Sequence, residues 1–432
     1  MERKFYQNLL YWKNSQNKLP LMIIGARQVG KTYLIKEFAQ KEYSDQIYIN
    51  FEEEKLISEF FENTLNPEKI IAKIEEYYNK KINIENTLII FDEIQKCEKA
   101  ITSLKYFCES ENHYNVICAG SLLGVKINRF ESSFPVGKVR IEYLYPLDFE
   151  EFLWAIGEKS LAEMIKEHFK SNKAIEQIFH EKIMNLYKEY TCIGGMPACI
   201  NEFVQKNKKI VEFDKNIQES IVLSYIADMA KYTVGAEAIK TNEVYHSIPS
   251  QLGKENKKFQ YKLLGNKTGG KRRYESSIQW LINSGIVLKS TLINDARPPI
   301  YTNKKENIFK IYLNDVGLLM NLGKIDFETI LFDMSSIYKG MITENYVAQT
   351  LKKNGNELIY WESESKAEVD FIISQKGNII PIEVKSSERV TSKSLTTYMK
   401  KYNPEYAIRI SSKNFGFNNN IKSVPLYAVH LI

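Results

Sequence analysis

Cysteine and histidine are both scarce in this 432-residue chain, with five of each. Cys97, Cys108, Cys118, Cys192 and Cys199 form no CxxC pair, and no histidine cluster accompanies them. That spacing excludes a disulfide framework and a Cys/His zinc site, and predicts buried, reduced thiols. Long apolar runs are also missing, so no segment can span a bilayer as a helix. The opening MERKFYQNLLYWKN has no apolar signal-peptide core. The expectation is a cytoplasmic protein with no membrane partner. The charge is not lopsided either. A net charge of +6 is compatible with nucleic acid, but a lysine-rich surface gives the same excess. What is present is ordinary globular material, 44% hydrophobic and 26% charged. The length predicts roughly two to four domains.

The first chemistry lies near the start. Leu21-Met22-Ile23-Ile24 is a short apolar run of the kind that forms a buried parallel strand. It runs into Gly25-Ala26-Arg27-Gln28-Val29-Gly30-Lys31-Thr32, and the amphipathic YLIKEFAQ, beginning at Tyr33, follows. Strand, GxxxxGKT and helix in that order predict a phosphate-binding loop. Glycines let backbone N–H groups curl around phosphate oxygens, and the helix turns its positive end to the same place. Lys31 would reach the β- and γ-phosphates of ATP, and Thr32 would ligate Mg2+.

A second apolar run, Thr87–Phe91, ends in Asp92-Glu93. Two acids at a strand's carboxyl end suit two tasks. Asp92 would hold Mg2+ through water, and Glu93 would act as general base on the attacking water. A third strand, Asn115–Ala119, runs into Gly120-Ser121. Ser121 is either a γ-phosphate sensor or a turn serine. Residues 46–52 and 139–144 supply two more strands, which predicts a doubly wound α/β domain with ligand at the strand C-termini. For an arginine that stabilises γ-phosphate charge from a neighbouring subunit, Arg129 and Arg140 stay equally open.

Residues from Phe149 to about Val234 carry helical apolar spacing, interrupted by Gly194-Gly195-Met196-Pro197. Between about 236 and 310 the pattern changes. EAIKTNEVYHSIPSQLG predicts two short helices parted near Ile248-Pro249. Lys271-Arg272-Arg273 opens a helix with Ile278, Leu281 and Ile282 on one face, and GIVLKSTLI and IFKIYL predict a two-stranded wing. Three helices and a wing describe a winged helix, which either binds DNA through its basic helix end or packs between domains.

Near the end, Gly340–Val347 begins an amphipathic helix carrying Glu344. Ala367–Ile373 predicts a strand with Asp370, and Ile379–Lys385 a returning strand with Glu383, Val384 and Lys385. An aspartate followed by E-V-K on the next strand is the PD-(D/E)xK arrangement. Alternation would set Glu383 and Lys385 on one side and Val384 in the core. Asp370 and Glu383 could share a metal, with Glu344 adding an acid and Lys385 helping to activate water. Glu362, Glu364 and Glu368 compete for the metal assignment. The alternative is a salt-bridged hairpin on a fold that cuts nothing.

The segments GARQVGKT, LIIFDEIQ, AGSLLG, YPLDFEEFL and CIGGMPACI, in order over nearly the whole chain, resemble a bacterial and archaeal family of AAA+-type ATPases. Its members carry a C-terminal domain of unknown function that looks like a restriction-endonuclease fold. The resemblance implies that the turn with Gly195 and Pro197 belongs to a lid near the nucleotide base, although a plain helix corner explains it too. It also implies an arginine after a glycine before the fifth strand, whereas here Lys138 follows Gly137. The expected division is an ATPase core at 1–147, a lid at 148–235, a winged helix at 236–315 and a nuclease-like domain at 316–432. ATP and Mg2+ are the expected cofactors, and DNA and self-association the expected partners. Two functions compete: an ATPase coupled to a DNA-acting nuclease, and a regulatory ATP switch that binds DNA or protein without cutting. A third, a helper recruited to DNA ends, rests only on the basic middle segment.

Overall fold

The computed structural model describes residues 1–121, 134–233, 235–265, 270–364, 367–375, 377–386 and 393–432. Arg129 and the Leu122–Gly124 part of AGSLLG fall outside the described residues. The chain forms two compact units, one of residues 2–145 with 283–285, the other of 146–282 and 286–432.

The amino-terminal unit is built on five strands: β1 Leu21–Ile24, β2 Asp45–Asn50, β3 Thr87–Asp92, β4 Asn115–Gly120 and β5 Arg140–Tyr143. They pair in parallel in the order β2-β3-β4-β1-β5. Every residue of β1, β3 and β4 is buried, as unbroken apolar runs in a covered parallel sheet require. Alternate residues Met22, Ile24, Ile89, Phe91, Val116 and Cys118 join one core with Ile70, Ile74, Ile101 and Leu104 from the helices Pro67–Tyr78 and Glu98–Glu109. The helix Lys31–Glu42 buries Leu34, Ile35 and Phe38, which are not part of that core, and packs along β2, β3 and β4. It therefore covers the other face. Order β4-β1 beside β3 means the chain crosses over between its first and third strands, and the crevice at their carboxyl ends is where such sheets bind ligands.

The carboxy-terminal unit begins with helices Phe149–Ala155, Lys159–Ser171, Gln177–Ile193, Pro197–Gln205 and Asn216–Tyr232. The expected break near Pro249 is absent: Ala236–Leu252 is one helix with Pro249 inside it. Pro249 lies in the final turn, where the lost N–H removes a single bond and Gly253 still donates to its carbonyl at 2.9 Å. The basic stretch opens the helix Lys271–Asn283 as expected.

Eight strands then form one mixed sheet: β6 Val287–Ile293, β7 Lys304–Leu313, β8 Ile359–Glu362, β9 Glu368–Gln375, β10 Asn378–Val384, β11 Ala407–Ser411, β12 Gly416–Asn418 and β13 Ile421–Pro425. The order is β12-β13-β11-β10-β9-β8-β6-β7. The hairpin β6–β7 is thus not a freestanding wing, because β6 pairs in parallel with β8, with Thr291 opposite Ile359. Among the described residues no helix is long and apolar enough to cross a membrane.

Candidate functional site

The loop Gly25–Thr32 leaves the end of β1 and enters the helix Lys31–Glu42 at Gly30, which has φ +92° and no side chain to cap the helix. Gln28 also takes a positive φ, 66°. Left-handed residues within a tight loop turn successive N–H groups toward a common point, the geometry of an anion nest. Gly25 is required for a different reason than the loop's curl: a Cβ there would lie 2.3 Å from the Leu144 carbonyl oxygen at the end of β5. Ala26 and Val29 are buried, while Arg27, Gln28 and Tyr33 are exposed. Buried Lys31 donates to the carbonyls of Gly25 and Ala26 at 2.9 and 2.8 Å, so its ammonium is already folded over the loop. Arg3, unforeseen from the sequence, donates to the Val29 carbonyl at 3.0 Å and the Tyr145 carbonyl at 2.6 Å, tying the loop to the chain leaving β5.

Asp92 closes the site from β3. Its Oδ2 accepts from Thr32 Oγ1 at 2.7 Å and from the Tyr48 hydroxyl at 2.9 Å. Thr32 and Asp92 come from residues sixty apart, and only the parallel β1/β4/β3 pairing brings them together. This hydroxyl–carboxylate pair is the donor set a Mg2+ ion on a triphosphate uses, so the residues present fit that ion. Tyr48 was missed, although β2 alternates buried Ile47 and Ile49 with half-buried Gln46, Tyr48 and Asn50. Its ring lies 3.6 Å from the Lys36 ammonium.

Glu93 sits beyond the strand in a left-handed conformation, φ 48°. Gln95 Nε2 donates to Glu93 Oε2, and Ser121 Oγ lies 3.5 Å from the same oxygen. Glu93 and Ser121 are therefore neighbours. Burial pushes the Glu93 carboxyl above its ordinary value; the Gln95 amide opposes this, and the Asp92 charge adds to it. Of the arginine candidates, Arg140 is paired with Glu142 at 2.6 Å, and Lys138, after Gly137, pairs with Glu109 at 2.9 Å.

The carboxy-terminal carboxylates stand in their own unit. Extending the β9–β10 register by one residue beyond Phe371–Ile382 sets Asp370 opposite Glu383, on one face. The faces differ from the expectation: Glu383 is buried and Val384 half-buried. Asp370 Oδ2 accepts the Val384 N–H at 2.8 Å. Glu383 pairs with Lys385 at 3.2 Å and lies 3.6 Å from Arg409. Glu344 faces lysines instead: its Oε1 accepts from Lys310 at 3.0 Å and Tyr312 at 2.6 Å, and its Oε2 from Lys257. Burial alone would raise the Glu344 carboxyl, but the two lysines hold it below the ordinary value. Asp370 goes the other way, raised by burial and by the Glu344 charge. Among the described residues no group of three or more His, Cys, Asp or Glu is arranged to hold a metal ion. Lys310 and Lys257 lie 34 and 87 positions from Glu344, and no local pattern announces them.

The Gly194–Pro197 turn is held within the carboxy-terminal unit. Gly195 N–H donates to Asp315 Oδ2 at 2.7 Å, and its carbonyl accepts from Leu147 at 2.8 Å. A Cβ on Gly195 would meet the Leu147 oxygen at 2.0 Å, and one on Gly194 would meet Asp315 Oδ1 at 2.2 Å. Pro197 opens the helix Pro197–Gln205, a first-turn position that needs no N–H. Close packing accounts for both glycines, and the main chain of Gly195 is committed there.

Three family models match parts of the chain: an AAA domain over residues 17–153, and two domains of unknown function, DUF8612 over 184–329 and DUF4143 over 339–429. A comparison with curated proteins returns no match. Similar solved structures include the Walker-type ATPase PABY2304 of Pyrococcus abyssi, 15% identical over 74% of this chain and 95% of that one, with a TM-score of 0.44. The Aeropyrum pernix ORC2 protein, solved as ADPNP–ADP complexes, is 15% identical over 77% and 92%, with a TM-score of 0.32. Drosophila ORC bound to DNA is 12% identical over 74% and 93%, with a TM-score of 0.28. With its loop, its two strand-end acids and the match over residues 17–153, the amino-terminal unit carries a P-loop ATPase domain of the AAA+ type.

Proposed function

We propose that the amino-terminal unit binds ATP and hydrolyses it with Mg2+. Loop amides and the Lys31 ammonium would hold the β- and γ-phosphates, and Thr32 and Asp92 the Mg2+, which supplies charge neutralisation on the phosphates. Glu93, steadied by Gln95 and near Ser121, would orient water and take its proton. The observation that carries this reading is the 2.7 Å approach of Thr32 Oγ1 to Asp92 Oδ2, which unites both halves of the site. Equilibrium binding of a fluorescent ATP analogue tests it. Lys31→Ala should lose retention of ATP and ADP, and Glu93→Gln should keep binding while losing turnover. A Lys31→Ala protein indistinguishable from wild type would refute the reading.

For the carboxy-terminal unit, the regulatory switch that engages DNA or protein without cutting is favoured over a coupled nuclease. The support is that lysines, a tyrosine and a backbone amide already take up the carboxylates of Glu344 and Asp370. DNA would meet the exposed Lys271, Arg272 and Arg273 at the start of their helix. Binding of duplex DNA that falls steeply with salt, and that weakens in Arg272→Ala/Arg273→Ala, is the expected result. Salt-independent binding, or none, removes DNA as the partner. Self-association, needed for any arginine supplied in trans, is read from sedimentation with and without ATP.

A further inference from the structure

The carboxylates of the carboxy-terminal sheet have a cation of their own. Lys310, on β7, is 1% exposed. Its ammonium lies 3.0 Å from Glu344 Oε1 and 2.7 Å from Glu368 Oε1, and 4.9 Å from the centre of the Tyr360 ring. A buried lysine tends to shed its proton, but the charges of Glu344, Glu368 and Asp370 outweigh burial and raise its pKa. A second lysine, Lys257, takes the remaining oxygen of Glu344. Beside it, Lys258 pairs with Glu362, and Phe259 N–H donates to the Phe309 carbonyl at 2.8 Å while the two rings stack at 5.4 Å. Residues 257–259 thus form a strap fastened over the cluster.

We propose that Lys310 is the resident cation of this cluster, standing where a divalent ion would have to bind between Glu344, Glu368 and Asp370. The charges agree. Three carboxylates face two ammonium groups, and a further divalent ion would leave the pocket with excess positive charge. Displacing Lys310 would strand a buried ammonium without its partners, which is costly. The donor set therefore does not fit a catalytic Mg2+ or Mn2+. Its task is to fasten the helix Ser336–Lys353 to the sheet, and a divalent ion held jointly by Glu344, Glu368 and Asp370 is excluded. The inference does not depend on ATP binding, because it concerns other residues in the other unit.

The experiment titrates Mn2+ into nucleotide-free protein carrying Asp92→Asn, which removes the carboxylate assigned to Mg2+ in the amino-terminal unit. Free Mn2+ is followed by its paramagnetic resonance signal, and the melting midpoint is read in parallel. The expected result is no saturable uptake and no shift of the midpoint. Saturable uptake that disappears on adding Asp370→Asn overturns the proposal. Lys310→Ala in the same background should acquire Mn2+ uptake and a midpoint that rises with Mn2+. Lys310→Gln, nearer in size, carries the same expectation should the alanine variant not fold. A folded variant of either kind that ignores Mn2+ also overturns the proposal. The titration of the protein with Lys310 intact decides the matter even if neither variant folds.

Discussion

The Tyr48 hydroxyl donates to Asp92 Oδ2 at 2.9 Å, on the same oxygen that accepts from Thr32 Oγ1. Two hydroxyls from different elements thus fix one carboxylate. Burial and the Asp92 charge both hold the phenol protonated, so it acts only as a donor. Tyr48→Phe removes one charge-assisted bond, which is worth about 1–2 kcal/mol. The Mg2+ concentration giving half-maximal ATP hydrolysis should rise roughly five- to thirtyfold, by that energy. Binding of ATP without Mg2+ should stay as it is. An unchanged Mg2+ requirement would assign Tyr48 to packing alone.

Glu93 must be ionised to take a proton, and its carboxyl is raised above the 4.5 of a free glutamate. The acid limb of the kcat profile should therefore lie above that value. Gln95 opposes the shift by donating to Glu93 Oε2. Gln95→Ala should move the limb further toward neutral pH and leave ATP affinity unaltered. Initial rates across a pH series, at saturating ATP, read both outcomes. A limb that moves down on removing Gln95 would contradict the assignment.

Gly195 has no room for a methyl group. A Cβ would lie 2.0 Å from a main-chain oxygen, which cannot turn aside as a side chain can. Gly195→Ala should cost about 2–3 kcal/mol, within the usual range for overpacking. Urea unfolding of the variant, read by tyrosine and tryptophan emission, measures that loss. A cost near zero would show that the turn is loosely held.

Asp315 is fully buried, and burial pushes its carboxyl up from 3.8 to about 6, despite donations from Gly195 and Leu318. The folded state thus holds the proton more tightly than the unfolded chain. This contribution is fully present below 3.8 and is lost as pH rises through about 6. It amounts to on the order of 3 kcal/mol, at 1.36 kcal/mol per unit. The stability of wild type minus that of Asp315→Asn should fall by about this amount over that interval. Denaturant titrations at both ends of the interval supply the number, and a difference that grows instead would reverse the sign argued here.

Much of the amino-terminal site was legible in the sequence because each part is local. A fully buried parallel strand reads as an unbroken apolar run, and the candidate residues follow its end: Gly25 after Ile24, Asp92 and Glu93 after Phe91, Ser121 after Gly120. Tyr48 and Arg3 were not legible. Each acts through partners brought near only by sheet order, Asp92 for the one and Val29 and Tyr145 for the other. The same limit governs the carboxy-terminal carboxylates. Spacing placed Asp370 opposite Glu383 correctly, but what neutralises their neighbours comes from Lys257 and Lys310, on elements far back along the chain. Pro249 misled for a simpler reason: proline breaks a helix's interior but not its last turn.

The pairing of β6 with β8 constrains how this protein can be dissected. Residues 287–293 supply the neighbour for residues 359–361. A fragment beginning at 316 would bare a row of unpaired amides and carbonyls along Ile359–Trp361, beside the apolar faces of Val369 and Ile372. Such an edge recruits other chains, so this piece expressed alone should clump, whereas one that retains the hairpin keeps its border closed.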